Sequence, residues 1–389
     1  STCTANCSGK NCGDDGCRGS CGSCTPPETC GSDGNCFIKK LFVVVGSGQL
    51  PGQQWTDSII TSPDGFNWTA VPNSINIFTT GFKVKNNGKI WVAVGEGPFS
   101  IAYSKNGTDW TGVPNSNNLF YRGLNLDWNT EQWVVTGFTD NTNNCLAVSS
   151  NGMTWNSVST SSMQYTNSLT WGHLIYWFKS AWHFYYVSPP GVRSMTADII
   201  SAHCPDTVIT DGSIWSIGEH HFNTTVRMEQ VICSDELCTM VGNTPDYSAK
   251  GLVFVSVDGI NFQTFHQNQI SPNTYMNSVN YEKIKGVGTF IIGTHVTNKP
   301  FISACFQTPS EHLLYDCLST SNSSNYSYGN GTATNGDIIV TLGFDTDPSS
   351  AVITSTYLYY GHMSDVGTSG LIKIIMSSLI NGFDIFCNK

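Results

Sequence analysis

One seven-residue phrase returns along this chain and limits what it can fold into. Ser62-Pro63-Asp64-Gly65-Phe66-Asn67-Trp68 is followed by Ser104-Lys105-Asn106-Gly107-Thr108-Asp109-Trp110 and Ser149-Ser150-Asn151-Gly152-Met153-Thr154-Trp155. Thr210-Asp211-Gly212-Ser213-Ile214-Trp215 has lost the leading Ser, and Ser256-Val257-Asp258-Gly259-Ile260-Asn261-Phe262 carries Phe in place of Trp. An apolar run precedes each copy, as in Leu252-Val253-Phe254-Val255, so the phrase reads as strand, tight turn, strand. The Asp or Asn folds onto the turn backbone, Gly takes positive φ, and the aromatic residue is expected to plug the gap between neighbouring units.

A second period runs beside the first. Apolar strands ending in Gly recur as Phe42–Gly46, Trp91–Gly95, Trp133–Gly137, Thr239–Gly242, Phe290–Gly293 and Ile339–Gly343, with Trp182–Ser188 filling the gap in the series. The steps are 49, 42, 51, 54, 51 and 50 residues. A period of this length implies stacked four-stranded units, seven of them here. The five turns resemble the Asp-box, or BNR, repeat of β-propellers. The expected fold is therefore all-β: a seven-bladed β-propeller over residues 37–389, preceded by a small disulfide-rich module over 1–36. Leu379–Phe386 is similar to Phe78–Val84, the strand opening the second blade. It is expected to serve as the innermost strand of blade 1 and close the ring, removing open sheet edges.

Eight of the fifteen cysteines lie in the first 36 residues: Cys3, Cys7, Cys12, Cys17, Cys21, Cys24, Cys30 and Cys36. With Gly, Ser and Asp between them there is too little apolar matter for a core, so disulfides are expected to hold this segment. The competing use, a zinc knuckle at Cys21 and Cys24, lacks a partner pair. Eight cysteines allow 105 pairings, which spacing alone does not resolve. Farther along, Cys233 and Cys238 flank a turn and are expected to bridge a hairpin, and Cys305 with Cys317 to bridge consecutive strands. The odd cysteine is left as a buried thiol or an intermolecular link.

Charged residues make up only 12% of the chain and the net charge is −10, with Arg at four positions. That balance argues against a nucleic-acid partner, and no apolar run is long enough to span a membrane. Ser1 is expected to follow a removed signal peptide, making the protein secreted or surface-exposed. Sequons at Asn6, Asn67, Asn223, Asn322, Asn325 and Asn330 are candidate glycosylation sites. Asn106 also begins one, but its side chain is expected to be used inside its turn.

The resemblance to Asp-box propellers brings one enzyme class into view, the sialidases, which hold a carboxylate with three converging arginines. Residues 37–72 contain no Arg, leaving Arg122, Arg193 and Arg227, of which Arg122 is the best placed. Among acidic residues, Asp127, Glu131, Asp198, Glu219 and Asp258 show no spacing that singles out a catalytic pair. Glu219-His220-His221 with His203 does not make a metal grip, because adjacent strand residues point apart. Asp345 and Asp347 lack the further ligands of a calcium loop, so no cofactor is expected. Trp171 and Trp177 are candidate glycan-stacking residues, whereas Trp182, Phe184 and Tyr186 alternate as packing residues. The sequence thus favours a non-enzymatic structural or adhesive glycoprotein, a repeating subunit that binds copies of itself through module–propeller contacts. The alternatives are a glycan-binding propeller and a sialidase-like glycoside hydrolase.

Overall fold

The computed structural model describes residues 3–24, 28–30, 34–38, 40–47, 49–50, 53–54, 57–138, 146–158, 174–187, 199–204, 208–209, 216–220, 227–243, 251–264, 275–284, 287–296, 299–307, 314–319, 327–328, 331–334, 338–346, 353–362, 372–375 and 381–387. Among the described residues nearly all the regular structure is strand, with two short 3₁₀ turns between strands. No helix among the described residues is long and apolar enough to cross a membrane. The N-terminal segment ends in a hairpin of β1 (Glu28–Cys30) and β2 (Cys36–Ile38). Four disulfides cross it: Cys3–Cys17, Cys7–Cys21, Cys12–Cys30 and Cys24–Cys36.

Antiparallel sheets follow in chain order, each a meander in which consecutive strands pair. The first holds β3 (Phe42–Ser47), β6 (Ile59–Ser62) and β7 (Thr69–Ala70), with β4 (Gln49–Leu50) and β5 (Gln53–Gln54) as a hairpin in its connection. The second comprises β8 (Thr80–Asn86), β9 (Trp91–Glu96), β10 (Ile101–Ser104) and β11 (Trp110–Gly112). The third comprises β12 (Arg122–Trp128), β13 (Trp133–Phe138), β14 (Leu146–Ser149) and β15 (Asn156–Val158). Next come β16 (Leu174–Phe178), β17 (Ala181–Val187), β18 (Ile199–Cys204) and β19 (Ser216–His220). The fifth sheet is β20 (Arg227–Cys233), β21 (Cys238–Asn243), β22 (Gly251–Ser256) and β23 (Gln263–Thr264).

The sixth sheet is β24 (Tyr275–Ile284), β25 (Val287–Val296), β26 (Lys299–Gln307) and β27 (Leu314–Ser319). After it, β28 (Ser327–Tyr328) pairs with His295 and Val296 of β25. Those two residues lie beyond the ladder to β26, so their backbone groups offered an open edge. The last sheet is β29 (Gly331–Thr334), β30 (Ile338–Thr346), β31 (Ile353–His362) and β32 (Ile372–Ile375). The C-terminal strand, β33 (Asn381–Cys387), returns to pair antiparallel with β3, setting Phe386 opposite Val43 and Asn381 opposite Ser47.

The core lies between successive sheets. Val43, Val45 and Ile59 of the first meet Val84, Trp91 and Ala93 of the second, while Val92, Val94 and Ile101 turn the other way onto Leu126, Trp133 and Val135. A second strand such as β9 is thus buried on both faces, which is why it reads as an unbroken apolar run. The same stacking joins Val134 and Leu146 to Trp182 and Phe184, and Tyr176 and Phe178 to Met240 and Phe254. Gly81 marks a close approach of successive sheets: a Cβ there would lie 2.7 Å from Cβ of Val45.

Two connections between sheets also repeat, in sequence as well as shape. Val71-Pro72-Asn73-Ser74 and Val113-Pro114-Asn115-Ser116 both place Asn in the left-handed region, at φ 59° and 61°. Each then enters a 3₁₀ turn, Ser74–Asn76 or Ser116–Asn118. Ser74 Oγ accepts from the N–H groups of Ser58 and Ile59, and Ser116 Oγ from that of Ser100, tying each connection to the start of the strand before the one it leaves.

Candidate functional site

The repeated phrases make the same turn at four described positions. Ser62 Oγ donates to Asp64 Oδ1 at 2.9 Å and accepts from Gly65 N–H at 2.8 Å. Asp64 Oδ1 accepts from Phe66 and Asn67 N–H, and Trp68 Nε1 donates to Gly65 carbonyl. Asn106 and Asn151 accept the corresponding bonds in their turns, and Asp258 does so with Ile260 and Asn261. The turn glycines adopt φ between 73° and 81°. Asp211 and Trp215 lie outside the described residues. Trp68, Trp110 and Trp155 are only half-buried, whereas the fully buried indoles belong to Trp91, Trp133 and Trp182. Strand position explains the difference. The turn tryptophans sit at sheet edges, and Trp91, Trp133 and Trp182 lie on strands covered from both sides.

Burial opposes ionisation of Asp64 and Asp258, but the hydrogen bonds converging on each carboxylate outweigh it and hold both at about 2. A carboxylate depressed below its unfolded value near 3.9 contributes stability above that pH and loses it as pH falls toward 2. On the order of 1 kcal/mol each is expected after solvent screening. The Asp64→Asn/Asp258→Asn variant, copying the turns at 106 and 151, should therefore lose less thermal stability between pH 5 and pH 2. Equal losses in variant and parent would rule the turns out as the acid-sensitive elements.

These turns all lie at one end of their sheets, as Ser62 pairs with Phe42, Ser104 with Trp91, Ser149 with Trp133 and Ser256 with Cys238. At the opposite end the leading strands share an irregularity that their sequences do not advertise. The register shifts between Gly81 and Lys83, Gly123 and Asn125, Met228 and Gln230, and Met276 and Ser278, and β33 carries the same extra residue between Gly382 and Asp384. The extra residues are Phe82, Leu124, Glu229, Asn277 and Phe383. Each is followed by a polar position: Lys83, Asn125, Gln230, Ser278 or Asp384. A bulge bends its strand and re-aims side chains, and bulges gather next to binding sites.

Two described ion pairs join neighbouring sheets, Arg122–Glu96 at this end and Asp127–Lys85 toward the end of the repeated phrases. Arg122 forks onto Glu96 and lies over the Phe82 ring, 5.4 Å from its centroid. Asp127, weighed from sequence as a catalytic carboxylate, is buried; one oxygen pairs with Lys85 and the other accepts from Trp177 N–H at 2.8 Å. It spans three successive leading strands and is committed to them. Glu229 Oε1 accepts from Asn243 Nδ2 at 3.3 Å, and Gln230 Oε1 accepts from Val279 N–H of the next sheet at 3.0 Å. Lys85, Glu96 and Glu229 were not singled out in sequence, because Lys85 and Asp127 are 42 residues apart and Glu96 and Arg122 are 26 apart.

The remaining sequence candidates divide plainly. Trp177 is half-buried and packs edge-on against Trp182, centroids 5.3 Å apart. Trp182 and Phe184 are wholly buried. Glu131 sits in the β12–β13 turn, at the same end as the repeated phrases. Cys233 and Cys238 form a disulfide across directly opposed positions. Cys305 and Cys317 are cross-strand partners, with side chains outside the described set. The group Cys12, Cys24 and Cys30 has a metal-like clustering, but all three sulfurs are taken up in disulfides. Asn6 and Asn67 are exposed, and Asn67 Nδ2 also donates to Asp64 Oδ2. Trp171, Arg193, Asp198, Asn223, Asn322, Asn325, Asn330 and Asp347 lie outside the described residues; of Tyr186, His203, Glu219, His220, Arg227 and Asp345 only the strand placement is described.

No family model matches the chain, and no curated protein does. Among solved structures it is similar to an ancestral GH74 enzyme, at 11% identity and TM-score 0.49, covering 87% of this chain and 53% of that one. The chain therefore spans about half the length of that enzyme. It is also similar to the β-propeller domain of the Trilobed protease from Pyrococcus furiosus, with 9% identity, 84% and 93% coverage and TM-score 0.44. An α-L-arabinofuranosidase from Fusarium graminearum, solved with an iminosugar inhibitor, gives 14% identity, 74% and 94% coverage and TM-score 0.46. At these identities no activity transfers, and the chain is described as all-β and propeller-like.

Proposed function

We propose that this chain is a secreted, seven-bladed Asp-box propeller over residues 37–389, joined to a stapled module over 1–36, and that it binds carbohydrate on the face carrying the strand bulges. Closure is supported by the leading strands, which neighbour one another in the order β33, β8, β12, β16, β20, β24 and β29, with β29 beside β33. The disulfides agree with an oxidising compartment. Exposed Asn6 suits glycosylation.

The observation that carries the ligand reading is the shared bulge. Five bulges in one register bring polar positions, four of them uncharged (Asn125, Gln230, Asn277 and Ser278), and the aromatic positions Phe82 and Phe383 to the same end of the leading strands. Neutral polyhydroxylated ligands need that mixture: hydrogen-bonding groups that are not strongly charged, beside apolar ring faces. Self-assembly, the reading that composition favoured, has low charge and an odd cysteine behind it, and the bulged face adds nothing to it. Screening the full chain on a glycan array tests the proposal; saturable binding to defined oligosaccharides is expected, and binding to none would overturn it.

A second reading is hydrolysis of the bound glycan. Glu96 and Glu229 supply carboxylates at this same end of the second and fifth sheets, where paired acids would be required. Release of reducing sugar, lost in Glu96→Gln or Glu229→Gln, would establish it.

A further inference from the structure

Resting on the carbohydrate reading, we infer that Tyr121, Phe138, Phe82, Arg122 and Glu96 form one subsite that takes a neutral pyranose ring. Tyr121 is among the few large apolar side chains exposed among the described residues, at 41%. It does not stand alone. Its ring stacks on Phe138, with centroids 6.2 Å apart and planes within 17°, and its N–H donates to Phe138 carbonyl at 3.0 Å. A buttressed aromatic ring costs little entropy to present, and its exposed area suits the C–H face of a sugar.

Arg122, the cross-strand partner of Phe138, supplies the polar half. Arg122 is tied to Glu96 and seated over Phe82, so both charged groups are held in place before any ligand arrives. Their side chains are 38% and 29% exposed, leaving the outer edge of the pair open to solvent. A guanidinium beside a carboxylate offers donors and acceptors together, which matches the paired donor and acceptor character of adjacent sugar hydroxyls. Because Glu96 already neutralises Arg122, the subsite presents no net positive charge to an anionic sugar. That choice of a neutral ligand contrasts with the carboxylate grip of a sialidase.

The test uses the full chain with cello-, manno- and xylohexaose as neutral probes and a galacturonate hexamer as the acidic one, read by calorimetry. At least ten-fold weaker binding of one neutral hexaose is expected for Tyr121→Ala, with Tyr121→Trp restoring it. Glu96→Gln is expected to weaken the neutral hexaose and strengthen the acidic one, since Arg122 is then uncompensated. Melting curves matching the parent establish that the variants are folded. If the parent binds a neutral hexaose and Tyr121→Ala binds it equally, the subsite is wrong while the broader carbohydrate reading stands. Preferential binding of the acidic hexamer by the parent would also overturn the subsite. If the parent binds none of the four probes and no glycan on the array, both readings fail.

Discussion

Removing residues 378–389 abolishes cooperative folding, on the expectation that β33 is the strand on which β3 depends. Val43, Val44 and Val45 of β3 have no exposed surface, and their ladder on one side is made to Phe386, Ile385 and Asp384. Truncation leaves those backbone groups facing either water or nothing, at about 1–3 kcal/mol for each buried group left unpaired. Several such losses consume most of a stability that is typically about 5–15 kcal/mol. The strand also neighbours β8 and β29, so both flanking sheets lose a contact surface. The expected result is a broad, non-cooperative melt and association through the open edge of β3. Adding a synthetic peptide of residues 376–389 should restore the sharp transition. A truncated chain that melts like the parent would show that β33 closes nothing.

The second large effect is expected at Asp127. Its two oxygens answer Lys85 from the preceding leading strand and Trp177 N–H from the following one. Asp127→Ala strands both partners at once, and breaking a buried ion pair from one side costs about 3–5 kcal/mol. Lys85 retains partial access to water, so about 3 kcal/mol is the expected loss, measured by urea unfolding. Asp127→Asn keeps an acceptor for Trp177 and should lose about half as much. Carbohydrate affinity per folded molecule should be unchanged in both. Parent-like stability with lost binding would instead make Asp127 a ligand-contacting group and remove its place as a staple.

How much of this was legible in the chain depends on how local each feature is. The turn at Ser62–Trp68 could be read directly because its serine hydroxyl, carboxylate and indole all bond within seven residues. The same holds for Cys233 and Cys238, which flank one turn. The connection at Val71–Ser74 was equally readable, since Val113–Ser116 repeats it, yet its value shows only where Ser74 meets Ser58. The bulges were not readable. Gly81-Phe82-Lys83 and Met228-Glu229-Gln230 share no residue, and an extra residue exists only relative to a paired strand. The edge-on packing of Trp177 on Trp182 was unreadable for a related reason, because it exists only once the two strands pair.

Composition and spacing by themselves determined that the chain is all-β, repeated and stapled at its N-terminus. Those properties depend on strand period, on turn chemistry confined to a few residues, and on cysteine density where no core can form. Only the tertiary structure decided which cysteines pair, which tryptophans are covered, and that Asp127 is a staple while Tyr121 is open. Each of those outcomes is a contact between residues tens of positions apart. Burial and charge compensation belong to such contacts, and a side chain acquires them only when another strand arrives beside it.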